Sequence, residues 1–96
     1  MFEIDSTEEF DEWIAGLRDR KGRAIILRRI DRIQLGNFGN VAPVGEGISE
    51  LKIRFGPGYR VYFKINNQTL ILLLLGGDKD TQDDDIKKAK ELAANL

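Results

Sequence analysis

Six consecutive apolar residues, Leu70 to Leu75, form the longest apolar run in a chain in which 32% of residues are charged. The run is far short of the roughly 20 residues that a membrane-spanning helix needs, and between Thr69 and Gly76 it reads as a strand. Side chains of a strand alternate between the two faces of its sheet. A strand that is apolar at every position therefore has to be covered on both sides. A fold for this sequence needs a layer on each face of a sheet, and 96 residues supply one domain, spanning 1–96, to build it.

The remaining elements follow from periodicity and turn residues. Met1–Asp5 predicts a short edge strand. Ser6 followed by Glu9 has the form of a capping box, and it opens a helix with Phe10, Trp13, Ile14 and Leu17 on one stripe. Trp13 reads as a core anchor. Gly22 marks a break. A second helix, from about Arg23 to Leu35, aligns Ile26, Ile30 and Ile33 before Gly36-Asn37 stops it. Two such helices predict an antiparallel helical hairpin with one shared apolar face. The glycine- and proline-bearing segment Asn37–Ser49 reads as a loop. Three strand signals follow, Glu50–Phe55, Tyr59–Ile65 and Gln68–Leu75, separated by Gly56-Pro57-Gly58 and Asn66-Asn67, which predicts an antiparallel meander. Gly76-Gly77 ends the last strand. Thr81 then caps a C-terminal helix whose first turn carries Asp83, Asp84 and Asp85, where the helix dipole favours acids. The expected class is α+β, a meander sheet packed on an N-terminal helical hairpin in the order βααβββα.

Composition narrows the chemistry. The chain has no cysteine and no histidine, which excludes disulfides, thiolate metal sites and Cys or Ser nucleophiles activated by an imidazole. Ser6, Thr7 and Ser49 therefore have no triad partner. Asp78, Asp80, Asp83, Asp84 and Asp85 lack the spacing and terminal glutamate of a calcium loop, so neither a metal nor a cofactor is expected. The acidic start MFEIDSTEEF has no apolar segment of the signal-peptide kind, and a soluble cytoplasmic protein is the expectation.

Charge is unevenly placed. Residues 1–17 carry six acids and no base, whereas residues 18–64 carry eleven bases against four acids. A basic middle is the footprint of a polyanion-binding protein, and also of an ordinary solvated helix surface. The meander sharpens the first reading. If Phe55 lies opposite Tyr59, then Ile53 faces Val61 and Leu51 faces Phe63 on an apolar side. On the other side Arg54 faces Arg60, Lys52 faces Tyr62, and Lys64 lies beyond. Two arginines directly opposite repel one another, and an anion between them would relieve that repulsion. Guanidinium groups match phosphate oxygens bidentately, with Lys52 beside them as a base or acid. Lys79, just after the last strand, reaches the rim. The plainer reading is that these cations keep an exposed face soluble and are neutralised by acids from elsewhere. In the same meander Ile71, Leu73 and Leu75 are expected on the basic face and Leu70, Leu72 and Leu74 on the helical core. The C-terminal helix or a bound protein would have to cover the former.

The run Arg32-Ile33-Gln34-Leu35-Gly36-Asn37-Phe38-Gly39-Asn40, the segments Pro43-Val44-Gly45-Glu46-Gly47 and Glu50-Leu51-Lys52-Ile53, and the stretches Gly56–Phe63 and Leu72–Lys79 together resemble the RelE/HigB toxin superfamily. Within it they are most similar to the phage-derived addiction-module killer proteins. The resemblance spans nearly the whole chain. It implies a RelE-like fold and the toxin half of a type II toxin–antitoxin pair. It also implies a metal-independent endoribonuclease that cuts mRNA in the ribosomal A site by attack of a ribose 2′-hydroxyl on the adjacent phosphate. Basic residues on the central strands, matched by Lys52, Arg54 and Arg60, and Lys79 near the end of the sheet are the implied catalytic set, with Tyr62 and Lys64 as substrate contacts. The implied partners are a small helix-turn-helix antitoxin and mRNA, without a membrane or a small-molecule cofactor. Several active relatives use a histidine near the end of the sheet. Here Lys52 or Tyr62 would serve as base, or positioning and charge would carry the rate. The superfamily's ParE branch poisons DNA gyrase instead. A non-catalytic toxin fold that binds a protein target, or only its antitoxin or nucleic acid, is thus the alternative.

Overall fold

In a computed structural model describing residues 1–96, the chain forms β1 (Glu3–Ser6), α1 (Glu8–Gly16), α2 (Arg20–Gln34), β2 (Val41–Gly45), β3 (Ile48–Ile53), β4 (Tyr59–Asn66), β5 (Leu70–Asp78), a single 3-10 turn (Lys79–Thr81) and α3 (Gln82–Ala94). One five-stranded sheet runs in the order β1-β5-β4-β3-β2. The meander β3-β4-β5 is antiparallel as expected, but the sheet is mixed, because β1 pairs with β5 in parallel. The element order also gains a strand. Residues 41–45, expected in a loop, pair antiparallel with β3 as the outer strand β2. Pro43 is tolerated there because an edge strand has one side free of ladder bonds. Glu46 and Gly47, both at positive φ, make the tight turn into β3. No helix is long and apolar enough to cross a membrane.

The helix starts differ from the expected ones for local reasons. Thr7, not Ser6, caps α1: its hydroxyl accepts from the Phe10 N–H at 3.0 Å and donates to the Leu74 carbonyl of β5 at 2.6 Å. One side chain therefore satisfies a free helix donor and fastens the helix to the sheet. Ser6 still belongs to β1 and donates to Asp11. Gly22 does not break the chain. Asp19 caps α2 by accepting from the Gly22 N–H at 2.9 Å, and Gly22 is buried inside the first turn. A Cβ there would come within 2.6 Å of the Asp19 carboxylate and 2.7 Å of the Tyr59 ring. Glycine at this position serves close approach. At the other end Gly36 (φ 90°) donates to Ile33 and Asn37 to Arg32, the paired bonds that close a helix on a left-handed residue.

Two apolar clusters fill the two faces of the sheet. On one face Phe10 of α1 and Ile26, Ile30 and Ile33 of α2 meet Leu51, Ile53, Tyr59, Val61, Phe63, Ile71 and Leu73, so the two helices share one apolar face as expected. On the other, α3 lays Ala89, Ile86, Leu92 and Ala93 over Ile48, Tyr62, Leu72, Leu74 and Leu75. The C-terminal helix is the cover that the leucine run demands. The phase of that run is the reverse of the expected one: Ile71 and Leu73 face α1 and α2, while Leu72 and Leu74 face α3. An all-apolar run offers no alternation to read. A register shift at Tyr62/Phe63, which pair with Leu75 and Leu73, also leaves Leu74 as an extra residue and turns Leu74 and Leu75 to the same side.

β5 continues through Gly76-Gly77 instead of ending there. The Trp13 ring lies directly on the Gly76 backbone, and the Asp85 carboxylate lies on that of Gly77. Trp13 also packs edge-on to Tyr59 with ring centroids 6.3 Å apart, the anchoring role expected of it. A methyl group at position 76 has no space, so Gly76→Ala should lower the unfolding free energy by about 1–3 kcal/mol. Urea denaturation followed by fluorescence of the single tryptophan checks this.

Candidate functional site

β3 and β4 pair with Ile53 opposite Tyr59, Lys52 opposite Arg60, Leu51 opposite Val61 and Glu50 opposite Tyr62. This register is two residues from the expected one. The connection is a five-residue turn, Arg54–Gly58, and Arg54 sits in it and not across from Arg60. The turn is wider than the glycine pair suggests because Gly56 and Gly58 both adopt positive φ and Gly58 donates to Phe55. A shift by two preserves the faces, so Lys52 and Arg60 still share one side. The 3-10 turn after β5 then brings Lys79 beside Gly58.

As a result Lys52, Arg54, Arg60 and Lys79, with Asn40, Ile53 and Gly58, line one open depression of about 310 Å³ at the end of the sheet. The other two expected site residues are elsewhere. Lys64 pairs with Ile48, four residues along β4 from Arg60, which is roughly 13 Å at the rise of a strand. Tyr62 shares the face of Arg60, but α3 covers it completely and its hydroxyl has no hydrogen-bond partner. Burial, then the negative charges of Glu50 and Asp85, hold its phenol well above the ordinary tyrosine range. It is a core residue and not a substrate contact.

The residue that sequence reasoning passed over is Glu50. Its side chain is 2% exposed, one oxygen lies 3.8 Å from Lys52 Nζ and the other 3.9 Å from Arg60 Nε, and it accepts from Gln82 Nε2 of α3 at 2.7 Å. Arg60 in turn donates from Nη1 to the Gly58 carbonyl at 2.8 Å. The spacing Glu50-Leu51-Lys52 on a strand was the available signal, because residues two apart share a face. A second support comes from the other side of the sheet. Arg29 of α2 donates to the carbonyls of Lys52 (3.3 Å) and Phe38 (3.4 Å), and burial, followed by the charge of Arg32, lowers its pKa.

Asp19 and Tyr59 fix the root of the turn. The Tyr59 hydroxyl donates to Asp19 Oδ2 at 2.8 Å. The Gly22 N–H, followed by that hydroxyl, lowers the Asp19 pKa below its ordinary value of 3.8. Burial, followed by the Asp19 carboxylate, pushes Tyr59 up to about 12. A carboxylate lowered in the folded state adds stability that is present above its unfolded pKa and is lost as pH falls through the folded one. The gap in melting temperature between wild type and Asp19→Asn should therefore be constant near neutrality and shrink below about pH 4, as thermal scans across pH would show. Tyr62→Phe removes a buried hydroxyl without a partner. It should leave the unfolding midpoint unchanged or raise it, since such a group costs about 1–3 kcal/mol. A clear loss of stability in urea would show that the hydroxyl is satisfied in solution.

Four cations around a shallow depression can hold an anion the size of a phosphate group, and the guanidinium groups suit bidentate contact. No protein-family model matches the sequence. A protein of Haemophilus influenzae bearing the name "Uncharacterized protein" is 51% identical over 94 residues, covering 98% of this chain and 95% of that protein. Among solved structures, a mutant of the E. coli toxin RelE in the free state superposes with a TM-score of 0.72 at 13% identity, over 94% of this chain and 95% of RelE. A chain of the intact E. coli RelBE toxin–antitoxin complex gives 0.68 at 14% identity, over 81% of this chain and 96% of that one. The chain belongs to the family of the Haemophilus influenzae protein, and its fold is that of the RelE toxins.

Proposed function

We propose that the chain is the toxin of a type II toxin–antitoxin pair and cleaves mRNA on the ribosome without a metal, under the control of a cognate antitoxin. The observation that carries this reading is the convergence of Lys52, Arg54, Arg60 and Lys79 on one depression of a RelE fold. Arg60 and Arg54 bind the non-bridging oxygens of the scissile phosphate and stabilise the charge that builds on them in the transition state. Lys52 serves as general base toward the 2′-hydroxyl, or acts as a further charge clamp. The 2′-oxygen then bonds to phosphorus as the bond to the 5′-oxygen breaks. Lys79 protonates that leaving oxygen or holds the phosphate, and the products are a 2′,3′-cyclic phosphate and a 5′-hydroxyl end. A RelE-type toxin occurs in complex with its antitoxin in the E. coli RelBE structure, and a small helix-turn-helix antitoxin that covers the depression would silence this one.

A second reading, a non-catalytic toxin that docks on a protein such as gyrase, has its own support. The chain has no histidine, and Arg60 is already held by Glu50 and Gly58. Inducible expression of wild type and Arg60→Ala in bacteria, with mapping of new mRNA 5′ ends, separates the two. The cleavage reading expects growth arrest with cuts phased to codons, and a loss of about 10²–10³ in rate for Arg60→Ala when that protein is folded. Arrest without RNA cuts moves the case to the second reading. Full toxicity of folded Arg60→Ala removes Arg60 from the mechanism.

A further inference from the structure

The cross-strand pair at the centre of the depression is two cations, Lys52 opposite Arg60, and like charges directly opposite destabilise a sheet. Glu50 is placed to offset this. It precedes Lys52 by two residues, so it faces the same side, and its two oxygens are divided between the two cations at 3.8 and 3.9 Å. A carboxylate that is 2% exposed is costly to bury unless it is paired and hydrogen-bonded. Gln82, from the first turn of α3, supplies the hydrogen bond at 2.7 Å. Arg60 is tied by Nη1 to the Gly58 carbonyl at 2.8 Å, while its buried Nε lies 3.9 Å from Glu50 as an ion pair without a hydrogen bond. Its Nη2 makes no hydrogen bond within the protein, and Arg60 lines the depression. Glu50 itself is too enclosed, between β4 and Gln82, to touch one.

We infer that Glu50 is a positioning residue of this site, an internal counter-anion that aims Arg60 and Lys52 at the bound phosphate while weakening their affinity for it. The inference rests on the reading of the depression as a phosphate-binding site. It makes a prediction that an ordinary structural role does not, namely that binding and turnover move in opposite directions. In Glu50→Gln the negative charge is gone and the shape is kept. An uncleavable 2′-deoxy oligonucleotide should bind about fivefold tighter at low salt, because one opposing charge has left the site. Single-turnover cleavage of mRNA on ribosomes should fall by about tenfold, because the guanidinium is no longer held in place. The Arg60 Nε–H resonance, protected from exchange in the wild type by burial, should exchange faster. Gln82→Ala keeps the charge but frees the carboxylate, so it should slow cleavage without tightening binding. It also provides the test if Glu50→Gln does not fold. Parallel loss of binding and cleavage, or no change in the Arg60 resonance, would overturn the inference. If the wild type cuts no RNA, the proposed function fails. The oligonucleotide affinity and the Arg60 resonance then still decide the role of Glu50.

Discussion

A strand with apolar side chains on both faces admits only one kind of solution, and β5 imposes it on the whole molecule. Ile71 and Leu73 need a layer on one side, and Leu72, Leu74 and Leu75 need one on the other. The amphipathic helices α1 and α2 supply the first and α3 the second. Full burial of each such side chain is worth about 1.5–3 kcal/mol, so neither layer can be given up cheaply. The same strand then has to let both layers come close where they thin out. Gly76 admits the Trp13 ring and Gly77 admits the Asp85 carboxylate. Where the apolar cover stops, the sheet continues for a few residues, and the basic depression lies on that uncovered end.

The change from core to site is made by single residues. Along β3 the face under α3 reads Ile48, Glu50, Lys52: buried apolar, buried acid, half-exposed base. Along β4 it reads Tyr62, then Arg60. Polarity therefore rises within two cross-strand pairs, and the acid stands at the boundary, between the low-dielectric layer and the cations that need a counter-charge. α3 contributes to both sides of that boundary, with Ala89 in the core and Gln82 on the Glu50 carboxylate. Site and second core are thus one construction.

Much of this was readable from residue spacing. The stripes Phe10–Trp13–Ile14 and Ile26–Ile30–Ile33 specify helices whatever they pack on, and the turn residues specify the meander. Lys52 and Arg60 were legible as co-facial even with the register misread, because a slip of two residues leaves every side chain on its own face. What spacing cannot show is how far a covering layer extends. Tyr62 and Lys52 belong to the same face, and only the length of α3 decides that one is core and the other is site. The leucine run hid its phase because all of its positions are alike and a bulge breaks the period. β2 was hidden because glycine and proline, which usually mark loops, are compatible with an edge strand. Glu50 is one of four acids against eleven bases in residues 18–64, and a charge count is blind to its position two residues before Lys52, which places it beside the cations.

A site built on a turn is only as well defined as the turn, and Arg54–Gly58 contains two glycines at positive φ. Left to itself such a segment would sample many conformations. Here it is held at both ends and in the middle from the helical side of the sheet. Tyr59 is bonded to the Asp19 cap of α2, and Phe55 packs on the first apolar cluster beneath the Lys21 ammonium, 5.6 Å from its ring centre. Arg29 grips the backbone carbonyl of Lys52 from behind. The backbone that carries the cations is restrained from the face opposite to them, so a ligand can occupy the site without displacing these contacts. Ordering the cations in advance costs folding free energy, since Lys52, Arg54, Arg60 and Lys79 are gathered around the single carboxylate of Glu50. That cost falls on the free protein and not on the binding step, which is the condition under which fixed charges stabilise a transition state most.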